Sequence, residues 1–372
     1  MFALAALAAT GAFAQSTVQI VGTFDPSVAN QKYTYANGNS VTQTGLRNNS
    51  QGTSQITFKG TEDLGGGLKA SFLYENDFNA RFDANGENGF LADQIATKTN
   101  FGSAGGEQFL ALAGGFGTIA LGAPNTPTLD VQASKQPFST KIGGGFGASG
   151  FASGTIAALG TGHVRNNNTI KYTSPTIAGF TASLAFVNKT NADLNATATG
   201  NFVQAKTAGT GSATGIAEAG SVTDFAVMYA NGPLSAGYSI YVNGTTASVT
   251  QTQTQNNLFA SYDLGVAKLT AGYVTEKRSA YSTTAAIDAK GYNVAAAIPL
   301  NANLSLLGNY AKLDDNSTTN IDKQISAIGL KYTLSKMSSV YARYVSEKNS
   351  GTLTGVQTKE VTTALVGMQT NF

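Results

Sequence analysis

A glycine-rich reversal between two alternating segments constrains this chain more than any other feature. The stretch from Ser54 to Phe78 reads SQITFKGTEDLGGGLKASFLYENDF. Ile56 and Phe58 alternate with polar residues before the glycines; after them, Ala70, Phe72 and Tyr74 alternate with Lys69, Ser71, Leu73 and Glu75. Period-two alternation predicts strands, and glycine supplies the positive φ angles that a short reversal needs. The stretch therefore predicts a β-hairpin with one apolar and one polar face.

The hairpin pattern recurs about eight times, with short connections alternating with long polar ones. Removing fourteen residues from 372 leaves 358, or about 22 for each of sixteen strands with its connection. An even number of strands joined alternately by short and long loops is typical of a bacterial outer-membrane barrel. We therefore expect an all-β fold, a 16-stranded antiparallel transmembrane β-barrel.

Two of the long connections bear most on the fold and on the channel. A first strand over Val18 to Gly22 is followed by an Asn-, Thr- and Gly-rich stretch to about Thr53, which we interpret as a loop. The longest irregular stretch covers about 124–164, and loops of that length are usually functional.

One face of most predicted strands is apolar enough to contact lipid. No segment approaches the ~20 consecutive apolar residues that a membrane-spanning helix requires, and charged residues make up only 12% of the chain. Tyr and Phe at strand ends can form interfacial girdles, since the chain has no Trp. Residues expected on the lipid face include Ile170, Tyr172, Phe180, Leu184, Phe186, Phe225, Val227, Tyr229, Ile328, Leu330 and Tyr332.

The first fourteen residues, MFALAALAATGAFA, differ from the rest of the chain. They form an apolar run that ends in the small-x-small pattern Ala12-Phe13-Ala14, which signal peptidase recognises. We predict a signal peptide over residues 1–14, without the usual basic n-region, and a barrel domain over residues 15–372. A buried N-terminal helix is the alternative.

Several other classes of function find little support in the composition. The chain has no Cys, so thiolate metal sites and Cys nucleophiles are excluded. A net charge of +2 gives no argument for nucleic-acid binding. A GxGxxG match at residues 145–150 lacks the strand-to-helix context of a dinucleotide site. His163 is the only histidine, and the sequence supplies no partner that would orient it for catalysis. We expect no cofactor, no metal and no enzymatic turnover.

Four motifs, in order, resemble the general porins of β-proteobacteria. They are FKGTEDLGGGLKA, GGFGTIALG at Gly114 to Gly122, RNNNTIKYTSP at Arg165 to Pro175 and the C-terminal VGMQTNF. The resemblance covers essentially the whole chain after the predicted signal peptide. It implies a homotrimer of sixteen-stranded barrels in the outer membrane of a Gram-negative bacterium, each with a third loop folded inward to narrow the channel.

This chain lacks three arginines that the family pattern carries. Gln55 stands where the family has Arg after Ser in the second strand. Gly105-Gly106-Glu107 replaces Asn-Arg-Gln, and Gly122-Ala123-Pro124 replaces Gly-Arg-Gln. Selectivity therefore has to be inferred from the residues that this chain does carry.

Alternation places a set of charged side chains on inward faces. Lysines near the short turns should form a loose basic ring toward the periplasmic mouth, and a second group should lie nearer mid-height and on the third loop. The ring comprises Lys59, Lys69, Lys171, Lys268 and Lys331; the second group comprises Glu75, Arg81, Arg343, Asp130, Lys135 and Lys141. Charged rings bias which ions enter a narrow aqueous pore. This set predicts weak anion preference, although any single residue could be only a solvated part of the wall.

The leading hypothesis is a general diffusion channel for ions and small hydrophilic solutes. A solute-specific channel and a barrel that acts mainly as a surface adhesin or receptor remain alternatives. Phe372, preceded by alternating Val366 and Met368, resembles the C-terminal signal that the barrel assembly machinery recognises. Expected partners are outer-membrane lipid and lipopolysaccharide, this assembly machinery and the permeating solutes.

Overall fold

The structure is a computed structural model that describes residues 17–78, 106–134, 136–146, 158–160, 163–187, 221–244, 252–279, 286–318 and 320–372. The predicted signal peptide lies outside these residues. The described part of the chain contains no helix that is long and apolar enough to cross a membrane. Its elements are β1 (Thr17–Phe24), β2 (Pro26–Tyr35), β3 (Ser40–Asn48), β4 (Gln55–Gly65), β5 (Leu68–Asp77), β6 (Gln108–Gly114), β7 (Gly117–Ala123), α1 (Pro127–Ser134), β8 (Thr169–Thr173), β9 (Phe180–Val187), β10 (Val222–Asn231), β11 (Leu234–Asn243), β12 (Gln253–Asp263), β13 (Lys268–Arg278), β14 (Ile287–Pro299), β15 (Leu304–Asp315), β16 (Asp322–Thr333), β17 (Ser338–Ser350) and β18 (Thr358–Asn371).

The eighteen strand segments make sixteen wall strands. Only Asp25 separates β1 from β2, and β18 pairs with both. On the other side, β1 pairs with β4 and β2 pairs with β3. Hence β1 and β2 form the first wall strand, and β3 and β4, joined by residues 49–54, form the second. From β4 to β18 each strand pairs antiparallel with the next, and β18 returns to the first wall strand. The predicted closed sixteen-stranded antiparallel barrel is confirmed.

Alternating burial separates an outer from an inner face of the wall. In β6, Leu110 is 60% exposed whereas the neighbouring Ala111 is 4% exposed. The side chains predicted to face lipid include the exposed Ile170, Phe180 and Ile328. The opposite face of the wall carries buried polar residues, which include Asp224 and Gln255. This polar face is the inner one, because its residues contact a segment that the barrel encloses. Those contacts are described below.

The hairpin predicted over Ser54 to Phe78 is confirmed in detail. Strands β4 and β5 pair so that Phe58 lies opposite Tyr74, and Lys59 lies opposite Leu73. Gly65, Gly66 and Gly67 all have positive φ, at 80°, 61° and 83°. L side chains rarely adopt these angles, which explains why the reversal requires glycine.

The long loop predicted between Gly22 and Thr53 is wrong. Residues 26–35 and 40–48 are strands β2 and β3, which pair with each other across a short turn. Their outward positions carry Asn30 and Lys32, and their inward positions carry Gln31 and Tyr33. The prediction relied on alternation between apolar and polar side chains. Since β2 largely lacks an apolar face, its sequence does not show that alternation.

The barrel closes at a tight seam beside the C-terminus. The main-chain N–H and C=O of Gly22 pair with those of Phe372, at 3.0 and 3.1 Å. The Phe372 ring lies over Gly22 and 6.0 Å from the Phe24 ring. A Cβ at Gly22 would overlap the Phe372 ring and lie 2.7 Å from the backbone oxygen of Gln55. Gly22 is therefore required by close approach.

We expect Gly22→Val to lower the free energy of unfolding by about 1–3 kcal/mol, since overpacked positions force neighbouring groups apart. Urea titration of the folded barrel, followed by its heat-modifiable band on a gel, measures the change. Gly308→Val is the matched control, because a Cβ on Gly308 in β15 would meet no atom within 4 Å. Equal stability of the two variants would contradict this account of the seam.

Candidate channel constriction

The described residues of the stretch 124–164, here called the inner segment, begin with a capped helix. The hydroxyl of Thr126 accepts the N–H of Leu129 at 3.0 Å, as an N-cap residue does. Pro127 occupies the first helical position, where its missing N–H costs nothing. Helix α1 was not predicted, because eight residues with mixed polarity show no helical periodicity.

Hydrogen bonds join α1 to the inner face of the wall. Thr128 donates its N–H and its hydroxyl to the Asp224 carboxylate of β10, at 3.0 and 2.7 Å. The Gln132 amide donates to Asn257 of β12 at 3.0 Å. All four side chains are buried. Buried polar groups require such partners, so this pairing fixes where the helix lies against the wall.

The inner segment continues along the wall beyond the helix. Asn309 of β15 donates to the carbonyl of Gly143 at 2.7 Å. Arg343 of β17 donates to the carbonyl of Ile142 at 2.8 Å, with its guanidinium 5.0 Å from the centre of the Phe138 ring. The buried apolar cluster beneath these contacts comprises Val131, Phe138, Ile142, Phe146, Leu159, Phe259, Ala311 and Ile325, among others. The inner segment thus contacts the wall from β10 to β17.

Lys141 carries these contacts across to the second wall strand, between β3 and β4. Its ammonium group donates to the Thr53 hydroxyl at 2.7 Å. Burial lowers the pKa of Lys141 to about 8, although the Asp77 and Asp25 carboxylates oppose the shift. This lysine is therefore only partly charged just above neutral pH.

A second charged cluster lies where the inner segment leaves and rejoins the wall. Asn125 and Arg165 form an isolated β-bridge, and Arg165 donates to the Asn125 side chain at 3.1 Å. The Arg165 guanidinium also lies 3.3 Å from Asp77 and 3.9 Å from Glu75. Arg165 therefore holds both ends of the inner segment to each other and to β5.

The acidic members of this cluster are largely occupied by neighbouring donors. The Gln55 amide donates to Glu75 at 2.6 Å. The main-chain N–H of Asn125 donates to Glu107 at 2.9 Å. Burial raises the pKa of Glu107, and the Asn125 N–H and the Lys171 charge lower it. These carboxylates contribute less free negative charge to the lumen than their number suggests.

The structure brings some of the predicted site residues into contact with the inner segment and leaves others separate from it. Lys171 contacts Asp130 at 2.9 Å and the Asn125 carbonyl at 2.8 Å, so it lies against the inner segment rather than in a loose ring. Four further lysines occupy inward positions near short turns, and none forms an ion pair with a described residue: Lys59, Lys69, Lys268 and Lys331. Arg81 and Lys135 lie outside the described residues.

Sequence reasoning missed Asp77, Glu107 and Arg165. Arg165 opens the family-like motif RNNNTIKYTSP, which could have indicated it. Glu107 lies at one of the departures from the family pattern, where the absent arginine drew attention away from the carboxylate. Asp77 shares the inward parity of Glu75, which was sufficient to find it.

The surroundings of His163 are those of a structural residue rather than a catalytic one. Its ring stacks on Tyr241 at 3.6 Å between centroids, and its carbonyl accepts the Thr126 hydroxyl at 2.6 Å. Its buried Nε2 has no hydrogen-bond partner among the described residues, and burial lowers its pKa to about 4. Within that part of the chain no group of three His, Cys, Asp or Glu side chains could hold a metal ion.

Replacement of Arg343 tests how the inner segment is held. Arg343→Met keeps apolar volume but leaves the Ile142 carbonyl without its donor, a loss of about 1–3 kcal/mol. We expect faster amide hydrogen exchange over residues 138–146, measured by mass spectrometry. Lys331→Met, on the neighbouring strand β16, should leave that exchange unchanged. Identical protection in both variants would show that Arg343 does not anchor the segment.

Comparisons with known proteins agree with this architecture. The sequence profile described as Gram-negative porin matches residues 2–352. Outer membrane porin protein 32 of Delftia acidovorans is 31% identical over 366 residues, covering 97% of this chain and 93% of that protein. An outer membrane porin protein of Bordetella pertussis is 26% identical over 341 residues, covering 82% of this chain and 79% of that protein.

A solved structure shares the fold along almost the whole chain. It is described as the anion-selective porin from Comamonas acidovorans and superposes with a TM-score of 0.69 at 26% identity, covering 96% of this chain and all of that one. Family and fold point to a channel. The chain therefore belongs to the Gram-negative porin family and is an outer-membrane β-barrel related to the porins of β-proteobacteria.

Proposed function

We propose that this porin is a general diffusion channel that passes ions and small hydrophilic solutes with a weak preference for anions. The observation that carries the proposal is the inner segment, which runs along the inner face from β10 to β17 and reaches Thr53 through Lys141. A segment held inside the barrel in this way would narrow a water-filled passage without closing it. We infer that it is the inward-folded third loop of the family.

The distribution of charge supports anion preference. Asp77 lies beside Arg165, Asp130 beside Lys171, and Glu107 accepts two hydrogen bonds from Asn125. In contrast, five inward or inner-segment lysines form no ion pair with a described residue: Lys59, Lys69, Lys141, Lys268 and Lys331. Unpaired charge on the low-dielectric wall of a narrow aqueous channel biases which ions enter. The related porin of Comamonas acidovorans is described as anion-selective.

Two alternatives are weaker. A display scaffold for adhesion has no need of a segment fixed by buried hydrogen bonds inside the barrel. An enzyme would need an oriented catalytic pair, and His163 stacks on Tyr241 with its Nε2 unpartnered among the described residues. We propose that the protein works without cofactor or turnover, as a homotrimer in contact with lipid and lipopolysaccharide.

Planar bilayer recordings test the channel proposal. We expect ohmic conductance steps and, across a KCl gradient, a reversal potential showing modest anion selectivity. Lys59→Gln combined with Lys69→Gln should reduce that selectivity, because it removes two unpaired charges. Clear cation selectivity would contradict the proposal, and absence of steps would favour an adhesin or receptor.

The pH dependence of the same recordings tests Lys141. Its lowered pKa, about 8, means that the ammonium charge is present below pH 8 and is lost as pH rises through that value. Anion selectivity should therefore fall as pH is raised through this pKa. Lys141→Gln should start from the lower value and lose most of this dependence. An unchanged pH profile in the variant would exclude Lys141 as the cause.

We also propose that Phe372 is read by the barrel assembly machinery. Its ring is 45% exposed on the same face as Val366 and Met368, where another protein could contact it before closure. Deletion of Phe372 should reduce the amount of folded porin in outer membranes while leaving its synthesis unchanged. Wild-type levels of assembled barrel in the deletion variant would remove this role.

A further inference from the structure

Two large apolar side chains lie on the inner face of the barrel, where polar residues are the rule. Leu73 of β5 and Phe109 of β6 are register partners, and both are half-buried. Their sequence neighbours Phe72 and Leu110 belong to the exposed outer face. Parity along each strand therefore places Leu73 and Phe109 toward the lumen.

Small residues extend this pair into a continuous apolar strip over β5, β6 and β7. In the next row toward the short turns, Ser71 pairs with Ala111, and Ala111 pairs with Ala120. In the upper row, Phe109 pairs with Gly122. Gly122 has a φ of 140°, and a Cβ there would overlap the backbone oxygen of Gln108. The wall therefore carries no side chain at the position paired with Phe109.

The strip does not serve the packing of the inner segment. Among the described residues, the buried apolar cluster around Phe138, Ile142 and Phe146 involves wall residues such as Phe259 and Ala311. Neither Leu73 nor Phe109 belongs to that cluster or to the partly buried residues packed against it. Within the described part of the chain, packing of the inner segment therefore does not account for these two apolar side chains.

One lysine lies beside the strip and another lies below it, toward the short turns. Lys59 of β4 is the register partner of Leu73, and Lys69 of β5 pairs with Ala113 near the short turn. Adjacent strands are about 4.8 Å apart, so the backbones of Lys59 and Phe109, two strands apart, are separated by roughly 10 Å. That spacing suits an anion with a flat apolar body, since the lysine side chain can reach inward.

Among the described residues, the other charged groups near the strip leave Lys59 and Lys69 as its free cations. Lys171, opposite Ala120, is occupied by Asp130. Glu75, Asp77 and Glu107 lie above the strip; the first two contact Arg165, and Glu107 accepts hydrogen bonds from Asn125. Asp63 lies opposite Lys69, and its carboxylate accepts the N–H of Gly65 without forming an ion pair to a described residue.

We propose that Leu73, Phe109 and the small residues beside them form, with Lys59 and Lys69, a subsite for organic anions that carry an apolar or aromatic body, such as arylcarboxylates. The ring of the solute would lie on Phe109 and Leu73, and its carboxylate would lie at Lys59. This inference rests on the proposed channel function and narrows its solute class. Binding must be weak, on the order of millimolar, because a permeating solute has to leave the channel again.

Current block by two monovalent carboxylates tests the subsite in the full-length porin. Benzoate and gluconate, the second lacking an apolar body, are titrated against a chloride current in planar bilayers. In the wild type, benzoate should block at roughly tenfold lower concentration than gluconate. Leu73→Ser combined with Phe109→Ser should remove most of this tenfold difference, which corresponds to about 1.4 kcal/mol.

A second pair of variants tests the lysine of the subsite. Lys59→Gln should weaken block by both anions, because it removes the shared carboxylate partner. Lys32→Gln, whose side chain lies on the outer face of β2, should leave block by both anions unchanged. Leu73→Thr and Phe109→Thr as single substitutions, each expected to reduce the preference about threefold, provide the test if the double variant does not fold.

Equal block by benzoate and gluconate in the wild type would overturn the subsite, as would an undiminished benzoate preference in folded Leu73 and Phe109 variants. These outcomes leave the channel proposal intact, because chloride conductance is recorded in the same traces. Absence of any conductance step would instead refute the channel function on which the inference rests.

Discussion

Hydrogen bonding between β18 and the first wall strand is the constraint on which the rest of the structure depends. A sheet in a membrane has no water to satisfy its edge N–H and C=O groups, so only a closed sheet can cross. Here closure joins the two ends of the barrel sequence, with Thr23 opposite Asn371. The seam leaves so little space that Gly22 cannot carry a side chain beneath the Phe372 ring. The first and last strands of the barrel are thereby fixed to each other.

Closure also creates an enclosed inner face, and the buried polar groups on this face need hydrogen-bond partners. The inner segment provides them: Asp224, Asn257, Asn309 and Arg343 on four different wall strands each bond to it. Each bond contributes only about 1 kcal/mol net, but leaving a buried partner unpaired costs more. The segment is therefore held in place by many modest contacts, and its charged residues Lys141 and Asp130 are held at fixed positions inside the barrel.

The sequence was most informative where a strand has one apolar and one polar face. Alternation around the Gly65–Gly67 reversal predicted the hairpin, the parity of Lys59 and Lys69 and the strand count. It was least informative where both faces are polar. The sequence of strands β2 and β3 predicts a loop because Asn30 and Lys32 outside match Gln31 inside in polarity. Helix α1 was missed because its cap and proline mark a start that no apolar periodicity follows.

What the sequence determined by itself is therefore local: which residues form strands, and which side chains share a face. Period two along a strand decides these, and it needs no knowledge of neighbours. Only the tertiary structure decided which charges meet. Arg165 reaches Asp77 across 88 residues, and Lys141 reaches Thr53 across the same separation. Such pairs depend on the path of the inner segment and on strand register around the whole barrel. The apolar strip at Leu73 and Phe109 likewise became visible only when register placed the two side chains together.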